Sequence, residues 1–476
     1  MRGEAGAAAV ALLLTGCSMA PDYRPPQIAA PAEFKEAAGW TAATPMDGSP
    51  RGAWWQVFGD PVLDDLEARA EQASPTLAAA LARYDQARAA VRGTRADLFP
   101  QLGIGVDAGR ERVSGNRPLA TGDPRTYDDV RLGGALDYEV DMWGRIRDGV
   151  KAARADAQAS GADLASARLS LQAAVADAYS RLRGLDAEAE LLRQTVDAFG
   201  KAYDLTRRRH DGGIASGTDV NRASTVLGNA RAQISAVARD RAATEHEIAV
   251  LVGAVASDFS IAPHVQQLMA PAPATGIASA LLQRRPDIAA AERRMAAANA
   301  RIGVARAAFF PSLTLGLSGG FETTHGQLFQ TPNSFWALGP VSAALAIFDG
   351  GRRAAQVRMS RAEYDEVAAR YRETVLTAFR QVEDAIAANR LLAMQSIDQR
   401  AAADAATRTS GLALTRYRDG AADYLEVVTA QTDALEAQRA LLNVRTQQAR
   451  AAIALTRSLG GPVDPRLAVA FPAPID

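Results

Sequence analysis

Between Val130 and Asp141 the chain alternates strictly. Val130, Leu132, Gly134, Leu136, Tyr138 and Val140 fall on one face of an extended segment, and Arg131, Gly133, Ala135, Asp137, Glu139 and Asp141 on the other. The same period of two recurs twice. Leu102, Ile104, Val106 and Ala108 alternate with Gly103, Gly105, Asp107 and Gly109, and Leu313, Leu315 and Leu317 alternate with Thr314, Gly316 and Ser318. A fourth stretch is less regular, with Val341, Ala343, Leu345 and Ile347 as its apolar face. The patterns predict strands over about 99–110, 128–141, 311–322 and 335–348. Strands of about ten residues with one apolar face and one of glycine and charge suit a transmembrane barrel, lipid outside and water inside. Two soluble hairpins on a core would alternate in the same way; the glycine and charge of the polar face favour the wet lumen.

Elsewhere the period is helical. From about 145 to 210 there is no proline, and Leu171, Val175, Ala178, Leu182, Leu185, Ala189, Leu192, Val196, Phe199 and Tyr203 recur at spacings of four and three, a coiled-coil seam. At ~1.5 Å per residue this is a rod of about 100 Å. The helical segments about 217–253 and 75–98 come to ~55 and ~36 Å, so that stacked end to end they nearly match it. The second half repeats the set with about 352–418, 421–459 and 286–309.

The chain is therefore a duplication. Residues 74–102 resemble 285–313 at a constant offset of 211, and both copies end a helix on an FP pair, Pro100 and Pro311, before a strand begins. Proline cannot continue the helical hydrogen-bond ladder, so it marks the joint. "WGRIRDGVKAARA" (143–155) is echoed by "GGRRAAQVRMSRA" (350–362), and "LTRRRHDGG" (205–213) by "LTRYRDGAA" (414–422). Residues 60–253 and 285–460 read as the two repeats, 254–284 as a belt-like linker, 17–59 as an extended proline-rich arm and 461–476 as a tail.

Composition narrows the class. The 476 residues carry 53 Lys and Arg against 54 Asp and Glu, a net charge of -1, which gives no basic surface for nucleic acid. Aromatics are 6%, few for several compact cores, and the abundant alanine suits long, closely packed helices. Cys17 is the single cysteine, so no disulfide forms within the chain. It follows a ten-residue apolar run (Ala5–Leu14) in "MRGEAGAAAVALLLTGC", too short to span a bilayer and the length of a signal h-region. Leu14-Thr15-Gly16-Cys17 resembles a bacterial lipobox, which makes 1–16 a lipoprotein signal peptide and Cys17 the lipidated residue. Glu4 departs from the usual basic start, and Ser18 lacks the aspartate of an inner-membrane retention signal. No later run approaches 18 apolar residues, so any crossing uses strands.

Four strands leave two open edges, which lipid does not tolerate, and a small barrel needs about eight strands or more. Closure therefore takes several copies of the chain. At this point the residues resemble a known family, the outer-membrane factors of Gram-negative efflux and type I secretion systems (TolC/OprM/NodT-like). The likeness is strongest to its lipidated branch. It rests on the lipobox, "WWQVFGDPVLDDL" (54–66), the paired FP joints, "FDGGRR" (348–353) and "TRYRDGAADYLEVVTAQTDAL" (415–435). The resemblance implies a mainly α fold with a transmembrane β-barrel. Three copies, a homotrimer, would give twelve strands and a periplasmic tunnel of twelve helical columns ringed by an equatorial belt. It implies an outer-membrane duct without cofactor, set in outer-membrane lipid, served by a periplasmic adaptor (membrane fusion) protein and driven by an inner-membrane pump of resistance-nodulation-division type.

The resemblance also implies a periplasmic gate at the glycine turns. The matching positions are Arg209, Asp211, Gly212, Gly213 and Asp219 in the first turn and Arg418, Asp419, Gly420, Asp423, Leu425 and Thr429 in the second. Related channels often carry an aspartate where Thr429 stands; Leu425 matches a hydrophobic ring position. Salt bridges between such exposed charges are each worth ~0–1 kcal/mol, weak enough for a latch that must open; the same charges would equally serve as solvated helix ends and caps. No catalytic constellation appears. His210, His246, His264 and His325 are scattered without metal spacing, and there is no phosphate loop, zincin motif or serine elbow. A type I secretion channel shares the architecture, and a pore-free periplasmic coiled-coil or adaptor lipoprotein is the rival from another class. Adaptors carry one helical hairpin with compact β-domains, whereas this chain has two hairpins and no such domains.

Overall fold

A computed structural model of the chain describes residues 18–25, 52–116, 122, 124–269, 285–324 and 326–461. The predicted signal segment, Cys17, most of the proline-rich arm, residues 270–284 of the expected linker, His325 and nearly all of the tail lie outside them. The elements are α1 (Pro61–Ala73), α2 (Pro75–Ala96), β1 (Gln101–Val113), β2 (Arg125–Val140), α3 (Arg145–Asp211), α4 (Gly217–Leu251), α5 (Pro286–Ala307), β3 (Ser312–Thr323), β4 (Ser334–Ala344), α6 (Arg352–Arg418) and α7 (Tyr424–Ser458). Corresponding helices of the two halves match in length: α3 and α6 have 67 residues, α4 and α7 have 35, and α2 and α5 have 22. No described helix is long and apolar enough to cross a membrane.

The chain forms two compact units, to both of which α2, α3, α5 and α6 contribute. The first holds the sheet, antiparallel throughout, in the order β1-β2-β3-β4. The register sets Leu102, Leu136, Leu317 and Leu338 side by side on one face. That face is bare: Leu102 is 75% exposed, Ile104 80%, Trp336 81% and Leu338 82%. On the other face Asp107 lies opposite Arg131, and Arg131 opposite Glu322 at 3.3 Å. Gly133 and Gly320 face each other on this polar side, and a Cβ on Gly320 would come within 2.1 Å of the Leu132 carbonyl oxygen. Only glycine fits there. The Phe335 ring lies against Gly133, and the Arg131 guanidinium sits 4.5 Å from its centre.

Two departures from simple alternation occur in β4. The strand ends at Ala344, short of the expected 348, because the next partner along β3 would be Pro311, which has no N–H to donate. Its irregular pattern has a cause as well. Leu315 pairs with Val341 but Leu317 with Leu338, so β4 carries one extra residue at Gly339 and Pro340. The bulge switches the outward positions from even (Trp336, Leu338) to odd (Val341, Ala343).

The second unit is helical. The α3 seam is buried: Val175, Ala178, Leu182 and Leu192 are fully covered, and Leu192 and Phe199 cluster with Leu227 and Val237 of α4 and Leu435 of α7. Short helices continue the shorter columns. Gly253, just past α4, has φ +70 and lies against Ala73, where α1 hands over to α2. Arg285, just before α5, donates to the carbonyl of Ser458 at the end of α7.

A buried polar network ties the linker to this unit. The Arg183 and Asp186 side chains are each 2% exposed and pair at 2.8 Å. Arg183 also donates to the Tyr179 hydroxyl and the Ala262 carbonyl, while Tyr179 donates to Asp60, the N-cap of α1. Asp186 accepts from Arg241 at 2.7 Å and from the His264 backbone at 3.0 Å. Replacing Asp186 by Ala leaves Arg183 buried without its carboxylate, a loss of about 3–5 kcal/mol for a broken buried pair. A clear drop in the thermal midpoint followed by circular dichroism is expected; an unchanged midpoint would contradict the role given to this network.

Candidate functional site at the helix turns

The two glycine turns are built by different caps. In the first, α3 ends at Asp211 and the chain reverses through Gly212 and Gly213, the latter at φ +77, where a side chain would be strained. Ser216 and Asp219 then form a capping box on α4: the Ser216 hydroxyl accepts from the Asp219 backbone, and the Asp219 carboxylate accepts from the Ser216 backbone and hydroxyl. In the second, α6 ends at Arg418, Gly420 turns at φ +78, and Asp423 caps α7 by accepting from the Glu426 backbone at 3.0 Å. The ion pair of this turn is Arg416 with Glu426, at 2.8 Å.

The turns are joined through two tyrosines. The Arg209 guanidinium lies 4.5 Å from the Tyr417 ring centre and donates to the Tyr417 carbonyl. Tyr417 donates from its hydroxyl to Thr206 at 3.2 Å and packs edge-on against Tyr424 at 5.7 Å. Tyr417, Tyr424 and Val427 form one buried cluster with Ala202 and Ala223. Arg209 is therefore held by an aromatic face and a carbonyl, and Asp219 and Asp423 by helix N-termini. Asp211, Arg418 and Asp419 are exposed and have no side-chain partner among the described residues, and Leu425 and Thr429 are exposed as well. Residue type and spacing singled out the charges and glycines but passed over Tyr417 and Tyr424, although a tyrosine on each side of a glycine turn is a local signal.

The other sequence-selected positions lie at the strand joints. Pro100 precedes β1 and Pro311 precedes β3. The register sets Pro100 level with Tyr138, and hence with Leu315, so the prolines are staggered by four positions along the strands (315 less 311), the kind of offset that inclined barrel strands produce. Trp143 stacks on Phe310 with ring centres 4.6 Å apart and donates to the Pro311 carbonyl at 2.9 Å. Cys17 lies outside the described residues, but the segment after it is docked in the first unit. Ser18 donates to Asp148 at 2.7 Å, the Met19 carbonyl accepts from Arg306, the Pro21 carbonyl from Asn299, and Tyr23 donates to the Glu292 carbonyl. Gly303 makes the approach possible, since a Cβ there would come within 2.6 Å of the Ala20 nitrogen. Among the described residues no group of three or more His, Cys, Asp and Glu side chains could hold a metal ion.

The family model for outer membrane efflux proteins matches residues 66–254 and 277–461. The chain is 33% identical over 458 residues to the toluene efflux pump outer membrane protein TtgC of Pseudomonas putida, covering 95% of this chain and 94% of that one. It is 32% identical over 457 residues to the pyoverdine export outer membrane protein OpmQ of Pseudomonas aeruginosa, covering 94% and 95%. Among solved structures it superposes on the outer-membrane channel OprN with a TM-score of 0.86 at 30% identity, over 94% of this chain and 99% of that one.

The tyrosine cluster gives the turns a pH dependence. Loss of water pushes the Tyr424 hydroxyl up to about 12, with Tyr417 and Asp219 adding to it. The folded state therefore keeps a proton that the unfolded chain releases near its ordinary value of 10.0, so stability is full below pH ~10 and falls as pH rises toward 12. The loss is on the order of 2 kcal/mol. Tyr179, also raised by burial, has the same sign. Thermal melts from pH 9 to 12 should show the Tyr424→Phe protein losing less stability than the parent; parallel slopes would contradict the assignment.

Proposed function

The chain belongs to the outer membrane efflux protein family, and from that premise we propose that three copies close one barrel and one helical tunnel, a passive duct through the outer membrane. The observation that carries this reading is the four-stranded sheet with a bare apolar face and two unpaired edges. In lipid an unpaired edge costs several kcal/mol per backbone group, so the sheet needs further copies. The α6 helix adds a second requirement, since Leu376, Leu391, Met394, Ile397 and Leu412 are all more than half exposed. The same symmetry covers both layers.

A duct of this kind has no energy source. A periplasmic adaptor and an inner-membrane pump of the resistance-nodulation-division type supply recognition and drive. Relatives named for toluene efflux and for pyoverdine export resemble this chain about equally, which supports a conduit whose wall does not choose the cargo. Export of drugs or other small molecules is the reading carried forward, ahead of type I secretion. Residues 60–253 and 285–460 act as the two repeats, each sending one hairpin into the membrane from joints at Pro100 and Pro311.

Residues 1–16 are the signal peptide and Cys17 is acylated. The docking of Ser18 beside Asp148, near the start of α3, supports an anchor at the level where helices give way to strands. Mass spectrometry of the mature protein should find an N-terminal acylated Cys17; a mature chain beginning elsewhere without acyl groups would contradict this.

The turns form the resting gate, with Arg209, Asp211, Asp219, Arg418, Asp419, Asp423, Leu425 and Thr429 at the constriction and the Arg209–Tyr417 contact as its latch. Arg209→Ala should raise single-channel conductance in planar bilayers several-fold with little change in thermal stability. Conductance identical to the parent would remove Arg209 from the latch.

A further inference from the structure

The free edges of the sheet carry a register. We propose that β4 pairs antiparallel with β1 of the next copy, with Val341, Ala343, Leu345 and Ile347 opposite that copy's Ala108, Val106, Ile104 and Leu102. This rests on the reading of the sheet as part of a barrel closed by copies, and goes beyond it by fixing which residues meet.

The duplication sets the pattern. From β1 to β3 the repeat advances by 211, the separation of Pro100 and Pro311. From β2 to β4 it advances by 207, the separation of Arg145 and Arg352 at the starts of α3 and α6. The β2–β3 seam within the chain is thus the pattern for the β4–β1 seam between copies. In that seam Val140 pairs with Leu313, Tyr138 with Leu315, Leu136 with Leu317 and Gly134 with Gly319. Advancing the first member of each pair by 207 and moving the second back by 211 gives the four pairs above.

Three independent observations agree with the result. First, β2 extends past β1: Gln101 pairs with Asp137, and Tyr138, Glu139 and Val140 are strand because β3 pairs with them. Their counterparts 345–347 follow Ala344 and have no strand partner among the described residues, while Leu345 and Ile347 are 46% and 94% exposed. The apolar alternation in the sequence nevertheless continues through Leu345 and Ile347, as it should if a neighbour completes the strand there. Second, every pair joins outward apolar positions, and the polar face matches too, Ser342 meeting Asp107 and Ala344 meeting Gly105. A slip of one residue would turn one row of side chains to the wrong face. Third, the partner edge is bare, with Leu102, Ile104 and Val106 between 68% and 80% exposed.

Cysteine pairs test the register in the full-length protein in its own outer membrane. Ala343→Cys with Val106→Cys and Ser342→Cys with Asp107→Cys sample both kinds of antiparallel pair, only one of which suits a disulfide well. Ala343→Cys with Ile104→Cys and with Ala108→Cys are the slipped controls, and the parent with Cys17 alone is the blank. After oxidation and boiling in detergent without reductant, at least one matched pair should move most of the protein from the monomer band to a ring-sized covalent product, and the slipped pairs should stay monomeric. Linking by a slipped pair alone, or by none while the unlinked protein still elutes as an oligomer, would overturn the register. No linking together with a monomeric parent would instead sink the closed barrel on which the register rests.

Discussion

A backbone N–H or C=O in the hydrocarbon layer must find a partner in protein, because no water is there to supply one. The rest of this molecule follows from that requirement. Among the described residues β2 and β3 are paired on both sides, β1 and β4 each leave one edge open, and the apolar side chains of those two edge strands are largely exposed. A lone chain cannot sit in a bilayer in that state. Assembly is therefore a condition of insertion for the duct proposed above.

The helices then have to match the strands. Each half-chain supplies one 67-residue helix and two shorter ones, of 35 and 22 residues, that hand over at Gly253 against Ala73 in one half and at Arg285 on the Ser458 carbonyl in the other. The turns at the ends of the long helices carry two N-terminal caps, the exposed ion pairs Arg416–Glu426 and Arg222–Asp219, a contact of the His210 ring with the Ala215 carbonyl, and the Arg209–Tyr417–Tyr424 cluster. The Arg183–Asp186–Arg241 network is more deeply buried, and both carboxylate oxygens of Asp186 are engaged by arginines.

Much of this was legible in residue order. Strict alternation from Val130 to Asp141 placed β2, and the offset of 211 exposed the duplication, since both signals are local and repeated. The fourth strand was harder, because the extra residue at Gly339 and Pro340 changes the phase of the alternation midway. The Arg183–Asp186 network was invisible for another reason. On a helix an Arg and an Asp three apart read as a solvated pair, and only the linker folding over them makes them core. At the turns the charges were conspicuous, but Tyr417 and Tyr424 meet only because α6 and α7 reverse between them.

Topology across the membrane is the central claim, and chemical labelling from outside the cell reads it most directly. Cysteines introduced one at a time at Asn116, exposed just beyond β1, and at Asp211, at the end of α3, would be offered a polymer-linked maleimide too large to pass the outer membrane, with the parent carrying Cys17 alone as the blank. Asn116→Cys should react on intact cells, and Asp211→Cys only after the outer membrane is permeabilised. Protection of Asn116→Cys on intact cells with full reaction after permeabilisation, or equal labelling of both sites without it, would contradict a sheet that spans the membrane.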